Sequence, residues 1–362
     1  MDSTWRPWHA GRRWQALAMF VSGVCLIALM YHAYATVYTT PDLQVWWLAA
    51  RLWLSGVDPY GATGDRLLGT GSGFAYPFPA ILICVPLALL PLAGASTVWA
   101  LMSLSVVFAL PFAFRDTPEP RFAGVMLAYF PLWASLEEGQ WGPLLLLWTL
   151  LSLRWLHRSR WLLSGAVASL TLLKPHVGIA LLAGLLAYAW QLNVPARWWL
   201  GLAGGLFIFW VGTQMLAPGW VLAWMEQIRA YDAEDQNQID ALSFVGMLSA
   251  ILVMIVAALA WRRRDAPLLL AAVVVVLLIV LPTRSFYNHA VLLLPLTVLT
   301  MRALRLAALT IAASWSVLAL PLISADADIV LARSLGFYLP LVAGLAVIGR
   351  HVPENRNVSC AS

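Results

Sequence analysis

Long apolar runs separated by short charged stretches limit what this chain can fold into more than any other feature. Of the 362 residues, 62% are hydrophobic and 11% are charged, whereas soluble domains are about 45–50% apolar and about 25% charged. A membrane span uses roughly 20 apolar residues, which leaves no room for a large soluble domain. The runs are continuous rather than alternating, which disfavours a barrel. The sequence therefore predicts an all-α, polytopic transmembrane helical bundle.

The apolar runs predict about twelve membrane spans. The first run covers residues 16–38, and Ala33-Tyr34-Ala35 near its end is similar to a signal-peptide cleavage site. Because the apolar region of a signal peptide has about 7–15 residues, we interpret this longer run as an uncleaved first span. The later apolar segments lie at about 78–93, 97–114, 122–136, 140–153, 161–173, 177–192, 198–216, 243–261, 266–283, 289–301, 306–323 and 329–349.

Basic clusters assign the predicted sides of the membrane, because cytoplasmic loops carry an excess of lysine and arginine. With these clusters inside, the first loop (37–77) and the acidic loop 217–242 fall outside. Because residues 37–77 are predicted outside and Arg154/Arg158/Arg160 inside, the stretch 78–153 must cross the membrane an odd number of times. It contains four apolar segments. We expect one of its shorter segments, 122–136 or 140–153, to be re-entrant or half-buried. The clusters are Arg12-Arg13, Arg154/Arg158/Arg160, Arg262–Arg264, Arg302/Arg305 and Arg350/Arg356.

This topology predicts one integral-membrane domain over residues 1–362, with 37–77 as its first outer loop and 350–362 as a cytoplasmic tail. Both termini are expected on the cytoplasmic side. The 20 tryptophans include many at segment edges, which predicts interfacial aromatic belts. They are Trp5, Trp8, Trp14, Trp46, Trp47, Trp141, Trp161, Trp198, Trp199 and Trp220.

The remaining composition predicts neither a metal site nor a nucleic-acid partner. The three cysteines show no disulfide framework and no metal spacing. The acidic runs Asp232–Asp235 and 326–328 are interpreted as solvated loop charge, since no histidine or cysteine cluster accompanies them.

The first outer loop contains the first candidate for chemistry. Residues 43–55 have helical composition, Gly56 is typical of a helix end, and Asp58-Pro59 is typical of a turn. Asp42 is therefore expected at the N-terminal end of a helix that lies along the membrane surface. It could be a simple N-cap or a general base at the membrane–water boundary. For Asp58 we favour turn chemistry.

Two basic stretches interrupt apolar surroundings on the predicted outer side. Charge at the centre of a membrane helix costs at least about 2.5–3.5 kcal/mol, so such residues are functional candidates. Lys174 breaks the run 161–192, and Arg284 and His289 lie between two later spans. Lys174 could instead extend to the interface, and His289 could be a hydrogen-bonded interface residue. The functional hypothesis is that all three bind an anionic lipid head group, because phosphate favours cationic donors.

The order of these motifs resembles the membrane-embedded GT-C glycosyltransferases, and most of all glycosyltransferase family 87, the polyprenyl-phosphate-mannose-dependent mannosyltransferases and their relatives. The resemblance covers most of the chain, and it depends on the order and spacing of motifs that are individually weak. The matching stretches are Asp42–Arg51 (Asp-Leu-Gln-Val-Trp-Trp-Leu-Ala-Ala-Arg), Gly56–Tyr60, Phe74–Pro79, Pro86–Pro91, Gly139-Gln140, Lys174-Pro175 and Tyr287–His289.

The resemblance implies an inverting hexosyltransferase that uses a polyprenyl-phosphate sugar as donor and a lipid-linked or glycan molecule as acceptor. Asp42 would be the general base, and His289 would be a second catalytic residue. Lys174, Arg284 and His289 would bind the donor phosphate. The resemblance implies no metal or other cofactor, membrane lipids as surroundings, and an active site that faces outward from a bacterial cytoplasmic (inner) membrane. The pocket would be lined by Tyr60, Tyr76 and Gln140.

Two other interpretations stay open at this point. About twelve spans and a broken helix would also suit a transporter or lipid flippase, although the candidate charges gather on one face and no internal repeat is visible. A lipid-linked glycan ligase or polymerase would concentrate basic residues in a late outer loop. The loop 217–242 instead holds one arginine, Arg229, among five acidic residues.

Overall fold

A computed structural model of the chain describes residues 41–61, 74–112, 114, 126–234, 244–281, 286–316 and 334–351. These residues form α-helices with short 3-10 and π turns, and there is no β-strand among them. The predicted all-α class is therefore confirmed. The first predicted span (16–38), Arg284 and residues 352–362 lie outside the described residues.

The described ranges contain fourteen α-helices, several of which are extended by a tight turn. In chain order they are α1 (Pro41–Leu54), α2 (Phe78–Ala88), α3 (Leu92–Ala109), α4 (Phe130–Glu137), α5 (Gly142–His157), α6 (Trp161–Ala168, continued by the 3-10 turn Ser169–Leu173), α7 (Pro175–Gln191), α8 (Ala196–Leu206, continued by turns to Met215), α9 (Trp220–Glu234), α10 (Phe244–Arg262), α11 (Ala266–Val280), α12 (Leu293–Arg302, preceded by the 3-10 helix Phe286–Leu292), α13 (Leu304–Ser316) and α14 (Leu339–His351, preceded by the π turn Ser334–Tyr338).

Local sequence signals set the ends of the first-loop helix. α1 begins at Pro41, where the missing N–H and fixed φ of proline suit the first helical position. Beyond its end, Gly56 has a φ of +81°. The Asp58 carboxylate then accepts a hydrogen bond from the backbone N–H of Tyr60 at 3.0 Å. The predicted helix, its glycine stop and the Asp58 turn are all confirmed.

Several helices have the composition of membrane spans. By length and hydropathy, α3 and α10 could each cross a membrane alone, and the pair Ala196–Met215 and Trp220–Arg229, bent by 99°, could form a third span. Five more apolar helices among the described residues are shorter: Phe78–Ala88, Trp161–Leu173, Ala266–Val280, Leu304–Trp315 and Leu335–Arg350. These helices are compatible with membrane integration, and the number of about twelve spans stays a prediction.

The bend between α8 and α9 occupies part of the stretch that we interpreted as an outer loop. Gly219 has a φ of +82°, and its N–H donates to Oε1 of Gln214 at 2.9 Å. The indole N–H of Trp220 donates to Oγ1 of Thr213 at 3.1 Å. α9 then continues to Glu234, so the predicted outer loop 217–242 contains a helix, and its side of the membrane stays a prediction.

The stretch 78–153 contains one conspicuously short helix. α4 has eight residues, and at 1.5 Å per residue it spans about 12 Å of a hydrocarbon core roughly 30 Å thick. α5 has 16 residues. The described part of the segment 122–136 is therefore the better candidate for the incomplete crossing.

Glycines allow α6 and α8 to pack closely. A Cβ atom on Gly165 would lie 2.0 Å from the carbonyl oxygen of Trp198, and one on Gly201 would lie 2.1 Å from the carbonyl oxygen of Leu162. Backbones can approach this closely only where both helices carry small residues. The contact fixes α6, and with it the helix break at Lys174 that follows α6.

Gly201→Ala is expected to lower the melting temperature, because the new methyl group would force α6 and α8 apart at a cost of about 1–3 kcal/mol. Gly204→Ala is the matched control, since a Cβ atom there meets nothing within 4 Å and alanine favours a helix over glycine by about 1 kcal/mol. Thermal unfolding of both variants in one detergent tests this expectation, and equal melting temperatures would contradict it.

Candidate active site

Asp42 lies in the first turn of α1 and is half-buried. α1 packs against α2 and α3. Trp46 follows one helical turn later, on the same face as Asp42, and is 1% exposed. A carboxylate in the first turn is favoured by the helix dipole, so the start of α1 holds a negative charge at the edge of a buried aromatic region.

Lys174 is the only lysine in the sequence, and all the remaining basic residues of the Lys/Arg type are arginines. Its side chain is 3% exposed, which excludes the alternative that it extends to the interface. Nζ donates a hydrogen bond to Oε1 of Gln140 and lies 5.9 Å from the ring centroid of Tyr76. The single lysine among arginines is a sequence signal that could have separated Lys174 from the topology-setting basic residues.

The helix break at Lys174 is built into the local sequence. The 3-10 turn Ser169–Leu173 ends at Lys174, which has a φ of −128° and a ψ of 86°, and α7 begins at Pro175. The residue before a proline is disfavoured in helical conformation. A Cβ atom on Gly178 would lie 1.8 Å from the carbonyl oxygen of Thr171, so only glycine lets α7 approach the turn this closely.

Gln140 occupies the gap between α4 and α5. The preceding Gly139 has a φ of +68°, and the Gln140 N–H donates to the carbonyl oxygen of Ser135 at 2.8 Å. The side chain is 1% exposed. Because a lysine can only donate, the amide oxygen must face Lys174, and this fixes the orientation of the amide. The structure thus brings together three predicted site residues, Tyr76, Gln140 and Lys174, and Asp42 lies within electrostatic range of Lys174.

The charges of this site influence one another. Burial raises the pKa of Asp42 above its ordinary value of 3.8, and the positive charge of Lys174 opposes that rise. Burial lowers the pKa of Lys174 to about 8, and the negative charge of Asp42 opposes that fall. In both cases the poorly hydrated surroundings penalise the charged form. Both pKa values therefore move toward neutral pH, where a proton-transfer group is most effective.

Glu138 lies within electrostatic range of Asp42 and was not among the predicted site residues. Its pKa is raised by burial and by the negative charges of Asp42 and Glu137. The signal was present in Glu137-Glu138-Gly139-Gln140, an acidic pair directly before a predicted site residue.

A cluster of aromatic side chains lies against the site. The ring centroid of Trp46 is 5.0 Å from Tyr76, 5.3 Å from Trp99 and 5.2 Å from Trp141, and Trp99 is 5.1 Å from Trp141. These tryptophans are at most 2% exposed. The prediction that Trp46 and Trp141 belong to an interfacial belt is therefore wrong, because helix packing turns both rings into the protein.

Trp198 and Trp220 are buried as well, so the belt prediction is also wrong for them. Each indole N–H has a partner inside the protein. Trp198 donates to Oγ of Ser164 at 2.9 Å, and Trp220 donates to Oγ1 of Thr213 at 3.1 Å. Trp47, Trp161 and Trp199 are only partly buried, and for them the belt stays a prediction.

Gln227 on α9 joins the two ends of the glycine-rich part of the first loop. Its Nε2 donates to the carbonyl oxygen of Tyr60 at 3.1 Å, and its Oε1 accepts from the backbone N–H of Phe74 at 3.2 Å. Gln227 was not among the predicted site residues, because it lies in the predicted outer loop 217–242. The helical spacing of Trp220, Trp224 and Gln227 is the signal that could have found it.

Tyr60 and Tyr76, two predicted pocket residues, are also joined. The Tyr60 hydroxyl donates to the carbonyl oxygen of Tyr76 at 2.7 Å. The indole N–H of Trp224 donates to the carbonyl oxygen of Ala75 at 3.0 Å. Together with Gln227, these bonds position the backbone that presents the Tyr76 ring to Lys174.

The structure places His289 in a second buried group. It is 1% exposed, its Nε2 lies 2.7 Å from the Tyr338 hydroxyl, and its ring centroid lies 5.0 Å from that of Phe337. The Tyr338 hydroxyl donates to the carbonyl oxygen of Leu278 at 3.0 Å. Since a hydroxyl has one proton, Nε2 must be the donor to Tyr338. The 3-10 helix that carries His289 packs against α4 and α5, the helices that flank Gln140.

No group of three or more histidine, cysteine or acidic residues in the described part of the chain could hold a metal ion. Comparison of the chain with family models, curated proteins and solved structures finds no match.

The arrangement has a definite chemical capacity. A carboxylate with a raised pKa can accept a proton from a hydroxyl group. A buried ammonium nearby can stabilise negative charge that develops on a leaving oxygen, and it acts more strongly where water is excluded.

Proposed function

We propose that this protein is a polytopic membrane glycosyltransferase that moves a hexose from a polyprenyl-phosphate donor to a lipid-linked or glycan acceptor. The hexose that we propose is mannose. The observation that carries the proposal is the buried Lys174–Gln140 contact, whose positive charge acts on the carboxylate of Asp42 at the start of a first-loop helix. It agrees with the resemblance to glycosyltransferase family 87, in which the first-loop aspartate and Lys174-Pro175 are matching positions.

In the proposed reaction Asp42 accepts the proton of an acceptor hydroxyl while that oxygen attacks the anomeric carbon of the donor. The bond between the anomeric carbon and the phosphate oxygen breaks, and the phosphate leaves with the electron pair. Attack opposite the leaving group inverts the anomeric centre. The ammonium of Lys174 stabilises the released phosphate, with Arg284 and His289 as further proposed phosphate-binding residues.

The proposal includes a topology of about twelve spans in a bacterial cytoplasmic (inner) membrane, with the first loop on the outer face and both termini in the cytoplasm. A lipid-linked donor would explain why the reactive residues lie beside a helix at the membrane surface, because nucleotide sugars are absent from the outer side.

The central experiment supplies the purified protein with polyprenyl-phosphate mannose and a panel of lipid acceptors, and it identifies products by mass. We expect a product one hexose heavier than its acceptor. A transporter or lipid flippase is the second candidate, since a charged helix break would also suit it. Solute or lipid movement in liposomes without any transfer product would favour that candidate and contradict the enzyme.

The rate of transfer is expected to follow a bell-shaped curve with pH. Asp42 must be ionised, so the rate falls on the acid side at a pH above the ordinary aspartate pKa of 3.8. Lys174 must be protonated, so the rate falls as pH rises through about 8. Because the chain has a single lysine, labelling lysine with ¹⁵N at Nζ gives one side-chain NMR signal whose titration measures this pKa directly. An alkaline limb near pH 10.5 would contradict the assignment.

His289→Ala is expected to raise the KM for the lipid donor if His289 binds the donor phosphate. Tyr338→Phe is the matched control, since it removes the described partner of Nε2 and leaves the imidazole in place. We expect donor saturation curves in which only the alanine variant has a raised KM. Equal effects of both variants would assign His289 a structural role alone.

A further inference from the structure

Several buried hydrogen-bond donors next to Lys174 have no partner. Within the described part of the chain, the indole N–H groups of Trp46, Trp99 and Trp141 and Nε2 of Gln140 make no hydrogen bond. All four side chains are at most 2% exposed. Buried polar groups in proteins are nearly always paired, so four unpaired donors in one place require an explanation.

Direct contacts connect these donors to the candidate active site. Trp46 lies one turn after Asp42 in α1 and touches the rings of Trp99 and Trp141. Trp141 follows Gln140 in the chain, and the oxygen of Gln140 is bonded to Lys174. The side chains that carry the four donors therefore form, with Lys174, one contiguous cluster.

The four N–H donors can only donate, whereas the unpaired hydroxyl of Ser135, whose backbone oxygen accepts from Gln140, can donate and accept. An indole N–H can donate but cannot accept, and the amide oxygen of Gln140 is already used by Lys174. A sugar hydroxyl would bring a proton of its own as well as lone pairs. A phosphoryl group brings only acceptor oxygens and a negative charge, which complements N–H donors beside an ammonium.

We propose that the indole N–H groups of Trp46, Trp99 and Trp141 and the amide N–H of Gln140 form, together with Lys174, a binding subsite for the oxygens of a phosphoryl group. This inference rests on the proposed function in that the group would belong to the lipid-phosphate donor. It adds four donors to a phosphate site that the sequence assigned to basic residues alone. The tryptophans would serve as binding residues as well as packing residues.

A contact between an N–H group and an aromatic face offers a different explanation of these donors. The rings of Trp99 and Trp141 meet edge to face, with an interplanar angle of 86°, and such a contact satisfies a donor weakly. The two explanations differ in what happens when the N–H is removed and the ring is kept.

Phenylalanine replaces tryptophan for this purpose. Trp46→Phe, Trp99→Phe and Trp141→Phe remove an unpaired donor, and Trp198→Phe is the control because it removes a buried N–H that is bonded to Ser164. All four lose similar side-chain volume. The melting temperature without ligand should fall less in the three cluster variants than in the control, since losing an unpaired donor relieves a cost and losing a paired one does not.

Ligand binding is measured by the shift in melting temperature of the purified full-length protein. The probes are a polyprenyl phosphate without sugar, inorganic phosphate, and methyl mannoside as the neutral comparison. We expect each cluster variant to bind the polyprenyl phosphate about ten- to a hundredfold more weakly than the wild type, and the control variant to bind it equally well. If inorganic phosphate also raises the melting temperature, the phosphoryl group alone is sufficient for binding. If only the polyprenyl phosphate raises it, the bound phosphoryl group is that of a lipid.

Equal affinities in the wild type and the cluster variants would overturn the inference, as would a response to methyl mannoside alone. Cluster variants that lose as much melting temperature as Trp198→Phe would show that their N–H groups are paired, with the same consequence. Sugar transfer by a protein that binds no phosphate probe would overturn this inference alone, whereas phosphate binding without sugar transfer would overturn the proposed function alone.

Discussion

Asp42→Asn is expected to reduce sugar transfer by about 10²–10⁴-fold, which is the usual contribution of a positioned general base. Asparagine has nearly the same shape as aspartate but cannot accept the proton of the acceptor hydroxyl. The protein should fold normally, because burial already disfavours the charge of Asp42, as its raised pKa indicates. The initial rate and the melting temperature of the purified variant, measured at the pH optimum of the wild type, check both parts of this expectation.

Asp58→Asn is the matched control in the same loop. The Asp58 carboxylate accepts a hydrogen bond from the Tyr60 N–H, and the amide oxygen of asparagine can accept the same bond, so we expect the wild-type rate. Rapid transfer by the Asp42 variant would disprove the base assignment. An equal loss in both variants would indicate that the loop is sensitive to any lost carboxylate.

Lys174→Met is expected to have the second-largest effect. Removing a donor that stabilises developing negative charge typically costs about 10²–10³-fold in rate, and here it also leaves Oε1 of Gln140 without its described partner. Since the charge of Lys174 holds the pKa of Asp42 down, the pKa of Asp42 should rise further. The acid limb of the pH–rate curve should therefore move to higher pH, a change that a merely structural loss would not produce.

Lys174→Arg is the control, because it retains the positive charge near Asp42 while altering the shape of the donor. We expect its acid limb to stay in the wild-type position even if its rate falls. Complete pH–rate curves for the wild type and both variants make the comparison. A methionine variant with the wild-type rate and an unmoved acid limb would remove Lys174 from the mechanism.

The signals that succeeded in the sequence were local ones. Gly56 and the Asp58 turn predicted the end of α1, and Lys174-Pro175 predicted the break in the run 161–192, because each acts through the backbone of its immediate neighbours. They placed Asp42 and Lys174 at helix ends without any knowledge of packing.

The errors came from residues whose surroundings are set by distant parts of the chain. Trp46 and Trp141 sit at segment edges in the sequence, but packing of α1, α3 and α5 buries them in one cluster. Gln227 lies in the predicted outer loop 217–242, and α9 places it against the backbone of Tyr60 and Phe74. Hydropathy reports how apolar a residue is, and it does not report which neighbour it meets.

The sequence by itself determined that the chain is an all-helical protein with membrane-type helices, and where its first-loop helix and its lysine break occur. Composition and backbone chemistry suffice for those features, since they depend on a residue and its near neighbours. Only the tertiary structure decided that Gln140 contacts Lys174, that the charges of Asp42, Glu138 and Lys174 act on one another, and that three tryptophans form one buried cluster. Asp42 and Glu138 are almost 100 positions apart in the sequence, and Asp42 and Lys174 are more than 100 positions apart. Burial in the folded protein shifts the pKa values of Asp42 and Lys174.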